Sequence, residues 1–131
     1  LGVPAAAGPA MTVLVVDDNP VNLQLLMAAL EDEPDLRVMG TTQPLEALDL
    51  ARQHRPGVLL VDIHMPELDG PQLLARLRED DTLRTVPVVA VSADAAASQI
   101  AAALAAGFDG YLTKPVDLQQ VLDTVRQFRQ R

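Results

Sequence analysis

The 131-residue chain has no cysteine, no tryptophan and only three aromatic side chains, Phe108, Tyr111 and Phe128. Without cysteine there is no disulfide framework, no thiolate metal site and no thiol nucleophile. With so few aromatics the core must be built from Val, Leu, Ile and Ala. Basic residues are also scarce: Lys and Arg total 10 against 18 Asp and Glu, a net charge of −8. Such a chain is poorly suited to electrostatic binding of nucleic acid or an anionic membrane, and better suited to binding cations. No uninterrupted apolar run approaches the roughly 18 residues that a membrane-spanning helix needs.

What is present fits one domain with one core, since domains most often run to about 100–150 residues. Residues 1–10 are rich in Pro, Gly and Ala and read as a linker or cloning remnant. They hold no positive charge, so they do not read as a secretory signal. The chain opens on Leu, which reads as excision or processing from a longer polypeptide. The ordered domain is expected over residues 11–131.

From there apolar runs alternate with helical patterns. Residues 12–16 form a β-branched, apolar run that stops at Asp17-Asp18-Asn19-Pro20. A run apolar at every position suits a strand covered on both faces. Asn19 followed by Pro20 is a helix start, a capping side chain before a residue with pre-set φ. Leu23, Leu26, Met27 and Leu30 then mark one helical stripe. A second strand is expected over 36–41, and a second helix over 44–54 with Leu45, Leu48 and Ala51 on one side. Residues 58–61 are the clearest buried strand and run into Asp62. Leu73, Leu74 and Leu77 mark a third helix, and 86–91 a fourth strand ending at Ser92. An Ala-rich helix over 95–106 stops at Gly107, a favourable C-terminal cap. Residues 110–113 form a short fifth strand before Lys114-Pro115, and Leu118, Val121, Leu122, Val125 and Phe128 form the last helical stripe. Strands alternating with helices predict an α/β domain with a doubly wound parallel sheet and helices on both faces.

In open parallel sheets ligands bind beyond the carboxyl ends of the strands. There the pattern places Asp17 and Asp18, Asp62, Ser92 and Lys114, each after an apolar run. The second strand ends at Thr41-Thr42, which is chemically bland. Each residue alone has an ordinary reading, as a solvated turn, a helix cap or a surface lysine. Converging from four strands, three carboxylates repel each other and need a cation or a raised pKa. A hard divalent ion with oxygen ligands, such as Mg²⁺, answers that need and keeps waters that a phosphoryl oxygen can replace. Lys114 and Ser92 supply an ammonium and a hydroxyl for other phosphoryl oxygens.

The ordered set Val-Val-Asp-Asp-Asn-Pro, Val-Asp-Ile-His-Met-Pro-Glu-Leu-Asp-Gly, Val-Val-Ala-Val-Ser-Ala and Gly-Tyr-Leu-Thr-Lys-Pro resembles the receiver domain of two-component response regulators, over residues 11–129. The resemblance implies a flavodoxin-like sheet of strand order 2-1-3-4-5. It implies that Asp62 is the nucleophile that takes a phosphoryl group from a kinase phosphohistidine. It makes Asp17, Asp18, Asp62 and the backbone carbonyl of His64 the ligands of Mg²⁺ or Mn²⁺. Lys114 takes the place of the ammonium that pairs first with the carboxylate and then with the phosphoryl group. Ser92 is the switch hydroxyl and Tyr111 the switch aromatic, acting on the face of the fourth helix, fifth strand and fifth helix. Lys114-Pro115 is expected to be cis. The implied protein is a phosphoacceptor rather than an enzyme, cytoplasmic, a monomer or weak dimer. Its partners would be a histidine kinase or histidine phosphotransfer domain, with no direct contact to nucleic acid or membrane.

The wording Asp-Asp-Asn-Pro-Val-Asn, and Ala-Ala-Gly-Phe-Asp-Gly-Tyr-Leu-Thr-Lys-Pro before Val-Asp, is similar to receivers of hybrid sensor kinases. The kinase-side surface is then expected on Pro20, Val21 and Gln24 with the loop after Lys114. His64 and Asp94, each two residues beyond a site residue, are less typical. A charged His64 is expected to alter phosphoryl hydrolysis between about pH 6 and 7, given imidazole's reference value. The Ala-rich helix, with few large side chains, is expected to be mobile. Of the alternatives, an Mg²⁺-dependent phosphohydrolase acting through aspartyl phosphate would have its nucleophile after the first strand with a second Asp two residues on, whereas Asp17 and Asp18 are adjacent. A pseudo-receiver would lack a site group, and none is missing. Flavin binding would need a phosphate loop and aromatic shelves, and neither is visible.

Overall fold

A computed structural model of the chain describes residues 11–129; residues 1–10, with the linker expectation, lie outside it. The elements are β1 (Met11–Val16), α1 (Pro20–Glu31), β2 (Leu36–Thr41), α2 (Pro44–His54), β3 (Val58–Asp62), α3 (Gly70–Glu79), β4 (Val88–Ser92), α4 (Ala97–Ala106), β5 (Gly110–Thr113) and α5 (Leu118–Arg129). The strands pair in parallel, in the order β2-β1-β3-β4-β5. This is the predicted doubly wound α/β sheet.

Strand alternation splits the core in two. Val13, Val15, Val58, Leu60, Val89, Val91 and Leu112 pack against Leu23, Leu26 and Leu30 of α1 and Val121, Val125 and Phe128 of α5. Leu14, Val16, Leu59, Val61, Val88 and Ala90 pack against α2, α3 and α4 on the other face. Both faces are covered, which is why the central strands read as continuous apolar runs.

Several boundaries and faces differ from the sequence reading. β4 starts at Val88, after Pro87, because proline cannot donate to the ladder. α4 starts at Ala97, since the Asp94 side chain closes a turn ahead of it. In α2 the buried residues are Pro44, Ala47 and Ala51, and Leu45 lies exposed. The helix turns its small side chains, Ala47 and Ala51, to the sheet. Leu118 of α5 is also exposed, one turn ahead of the buried Val121.

Two helix starts are built on local capping. Asn19 accepts from the backbone N–H of Val21 and Asn22 at 2.9 and 3.2 Å. Asp69 and Gln72 form a reciprocal capping box on α3. The Lys114–Pro115 peptide bond is cis. No helix of the described residues is long and apolar enough to cross a membrane.

Candidate phosphoacceptor site

Register brings the polar residues together. Val16 pairs with Val61, so the next residues, Asp17 and Asp62, emerge side by side. Asp62 pairs with Val91, which puts Ser92 one step further along β4. Ser92 pairs with Thr113, and the Lys114 N–H donates to the Ser92 carbonyl at 2.8 Å. Four strand ends thus deliver Asp17, Asp62, Ser92 and Lys114 to one edge.

Carboxylate oxygens of Asp17, Asp18 and Asp62 all lie within 4.8 Å of one another. Asp17 is 0% and Asp62 5% exposed, while Asp18 reaches solvent. The Lys114 ammonium lies 3.3 Å from Asp17 Oδ2 and 3.4 Å from Asp62 Oδ1. One cation therefore faces three anions. Asp17 Oδ1 accepts from the Asn19 N–H at 2.9 Å, whereas buried Asp17 Oδ2 accepts no well-formed hydrogen bond, with Lys114 only in ion-pair contact. Asp62 Oδ1 accepts a long bond from the His64 N–H at 3.3 Å.

The electrostatics follow from this shortage of positive charge. Burial pushes the Asp62 carboxyl above its ordinary value, and the neighbouring Asp17 charge pushes it the same way. Lys114 and the His64 N–H oppose them without prevailing. An orphaned, buried carboxylate oxygen among three all-oxygen donors fits a hard divalent cation.

Ser92 is 1% exposed, and its Oγ accepts from the Asp94 N–H at 3.1 Å. Tyr111 is partly buried against the core, and its hydroxyl donates to the Asp94 carbonyl at 2.7 Å. His64 is exposed, and its backbone N–H is what reaches the Asp62 carboxylate.

Two contributors escaped the sequence reading. Thr41, chemically bland by residue type, is buried, and its carbonyl accepts from the Asp17 N–H at 3.2 Å, which fixes the backbone beneath that carboxylate. Gly70 starts α3 so close to β3 that a Cβ would sit 2.8 Å from Ile63 Cα and 3.1 Å from the Asp62 carbonyl oxygen. The Asp69-Gly70 pair was visible, but it reads equally well as an ordinary turn.

Residues 13–126 match the family model of the response regulator receiver domain. The chain belongs to that family. This receiver domain is 35% identical over 117 residues to the polar-differentiation response regulator DivK of Brucella anthropi, covering 89% of this chain and 94% of that protein. Among solved structures it is similar to the receiver domain of a Francisella response regulator, with 30% identity, a TM-score of 0.83, and 92% and 98% of the two chains covered. It is also similar to the receiver domain of a Pseudomonas aeruginosa sensor histidine kinase that holds a magnesium ion in its active-site cleft. That match has 28% identity, a TM-score of 0.82, and 92% and 98% coverage. Receiver domains are signalling domains of two-component systems, and this one has their five-stranded 2-1-3-4-5 sheet.

Proposed function

We propose that this receiver takes a phosphoryl group on Asp62 from a phosphohistidine of a histidine kinase or histidine phosphotransfer domain. The observation that supports it most is the Lys114 ammonium set between two buried carboxylates, Asp17 and Asp62, at 3.3 and 3.4 Å. A lone lysine so placed has a carboxylate to release when a phosphoryl group adds new negative oxygens.

Asp17, Asp18, Asp62 and the His64 carbonyl are the groups that would hold Mg²⁺ or Mn²⁺. When bound, such a cation neutralises carboxylate and phosphoryl charge, leaving little acid–base chemistry to the protein. Asp62 Oδ attacks phosphorus in line, the P–N bond to the donor imidazole breaks, and its electron pair leaves with the imidazole. A P–O bond forms, giving an acyl phosphate. Lys114 pairs with the new phosphoryl oxygens, and the Ser92 hydroxyl, buried beside the site, donates to one of them. Tyr111 carries that change to the face of α4, β5 and α5, and hydrolysis resets it.

For the donor's approach the structure supports α1 and the loop after Lys114. Val21 and Leu25 of α1 and Leu118 of α5 are 65%, 53% and 55% exposed. Between the two helices lies a groove of about 120 Å³ lined by Leu25, Leu26, Pro115, Val116 and Leu118, with Lys114 at its side. Exposed apolar residues around a groove suit a partner helix's apolar side chains. The site is taken to work in the cytoplasm, as a monomer or weak dimer.

A DivK-like response regulator is the parent that sequence similarity favours. A hybrid sensor kinase is the second reading, supported by the likeness to the Pseudomonas aeruginosa kinase receiver. The size of the native polypeptide on an immunoblot separates them. The central test is incubation with Mg²⁺ and acetyl phosphate. One phosphoryl group should be gained by mass, and none in Asp62→Ala. No gain would favour an interaction module that works without phosphorylation, and turnover of many phosphomonoesters would favour a hydrolase.

A further inference from the structure

Helix α4 is weakly held. Ala103 is its one buried residue, its cap position is Ala96 with no side-chain hydrogen bond, and its first turn has no acidic residue. One side chain ahead of it holds the backbone N–H of the cap residue itself. Asp94 Oδ1 accepts from the Ala96 N–H at 2.9 Å, closing a turn of the Asx type. That turn fixes the peptide planes around Asp94. The same residue's N–H donates to Ser92 Oγ at 3.1 Å, and its carbonyl accepts from the Tyr111 hydroxyl at 2.7 Å. A single exposed residue therefore binds a buried hydroxyl of β4, the lone tyrosine of β5 and the entry to α4.

We propose that Asp94 is a positioning residue whose side-chain turn, not its charge, locks Ser92, Tyr111 and the start of α4 into one unit. A movement of the Ser92 hydroxyl then reaches Tyr111 through the Asp94 backbone, because both hydroxyls share it. Loss of the turn lets each move alone. This rests on the reading of Ser92 as the hydroxyl that meets the phosphoryl group.

The variants separate geometry from charge. Asp94→Asn keeps the Oδ1 acceptor and drops the charge. Asp94→Glu keeps the charge, but its longer side chain cannot close the same turn. Tyr111 is the chain's one tyrosine and there is no tryptophan, so emission at tyrosine wavelengths reports that side chain alone. In metal-free protein, Asp94→Glu is expected to raise hydrogen exchange at the Ala96 N–H about tenfold, the effect of one lost hydrogen bond. It should also shift Tyr111 emission toward that of free tyrosine. Asp94→Asn should match the wild type in both. With Mg²⁺ and beryllofluoride, wild type and Asp94→Asn should show a Tyr111 emission change that Asp94→Glu lacks.

Exchange within about twofold of wild type and unaltered emission in folded Asp94→Glu would overturn the proposal. So would Asp94→Asn behaving like Asp94→Glu. Wild type that neither gains phosphoryl nor responds to beryllofluoride would instead count against the phosphoacceptor reading, while the metal-free comparison would still judge the turn.

Discussion

Replacing Asp62 by Asn should make the metal-free protein more stable at neutral pH. Asp62 stands within 4.8 Å of carboxylate oxygens of both Asp17 and Asp18, and 3.4 Å from the Lys114 ammonium. At an effective dielectric constant of about 20, each repulsion is worth at least about 3.5 kcal/mol and the attraction about 5 kcal/mol. The two repulsions together outweigh the attraction by about 2 kcal/mol, and burial of the charge adds to the same side. Asn keeps an acceptor for the His64 N–H and sheds the charge. A gain of about 2 kcal/mol corresponds to a Tm higher by about 6–10 °C for a domain of this size.

The pH dependence has a definite sign. Burial and then Asp17 raise the Asp62 pKa in the folded protein, so the folded state binds that proton more tightly than the unfolded chain. Wild-type stability from this group therefore falls as pH rises from the unfolded carboxyl value, about 3.9, through the raised folded value. The advantage of Asp62→Asn should be full above that window and vanish at about pH 3. Mg²⁺ should stabilise wild type more than the variant and narrow the gap. Thermal melts by far-UV circular dichroism, with chelator and with Mg²⁺, check each point. A variant no more stable than wild type at pH 7 in chelator, or a gap that persists at pH 3, refutes the reasoning.

Removing the Lys114 charge with Lys114→Met should raise the Asp62 pKa further, because the ammonium is the main group holding it down; carboxyl ¹³C NMR titration measures it. Gly70→Ala should cost about 1–3 kcal/mol in urea unfolding, since its Cβ meets the Ile63 and Asp62 backbone and neither can yield freely. Asp109→Ala should cost about 1–3 kcal/mol in the same assay. Asp109 Oδ2 accepts from the Val88 N–H at 2.8 Å and pairs with Arg78 at 3.2 Å, and the buried Val88 amide would lose its partner. Arg55→Gly should raise stability by a few tenths to about 1 kcal/mol, because Arg55 ends α2 at φ 46, where glycine has no Cβ penalty.

Written along the chain are the raw material of the sheet and the candidates for its site. Apolar runs with no polar face mark strands buried on both sides, and Asp17, Asp62, Ser92 and Lys114 stand out because they end such runs. Asn19-Pro20 announces a helix start, because capping chemistry is local. Less legible was which face of a helix turns inward. Leu45 and Leu118 carry the apolar signal and lie exposed, while Ala47 and Ala51 are buried. Packing distance to the sheet and the helix's entry angle decide that, and neither is a local property.

Distances across the fold decide the rest. That Lys114 reaches both Asp17 and Asp62, that Asp17 Oδ2 is left without a hydrogen bond, and that Asp62 is driven toward its protonated form all depend on distances between strands far apart in sequence. The roles of Thr41 and Gly70 are likewise matters of close backbone approach, invisible in residue type. Coulomb energy and steric exclusion fall off over a few ångströms, so they act on the folded arrangement, whereas apolar patterning and capping are written along the chain.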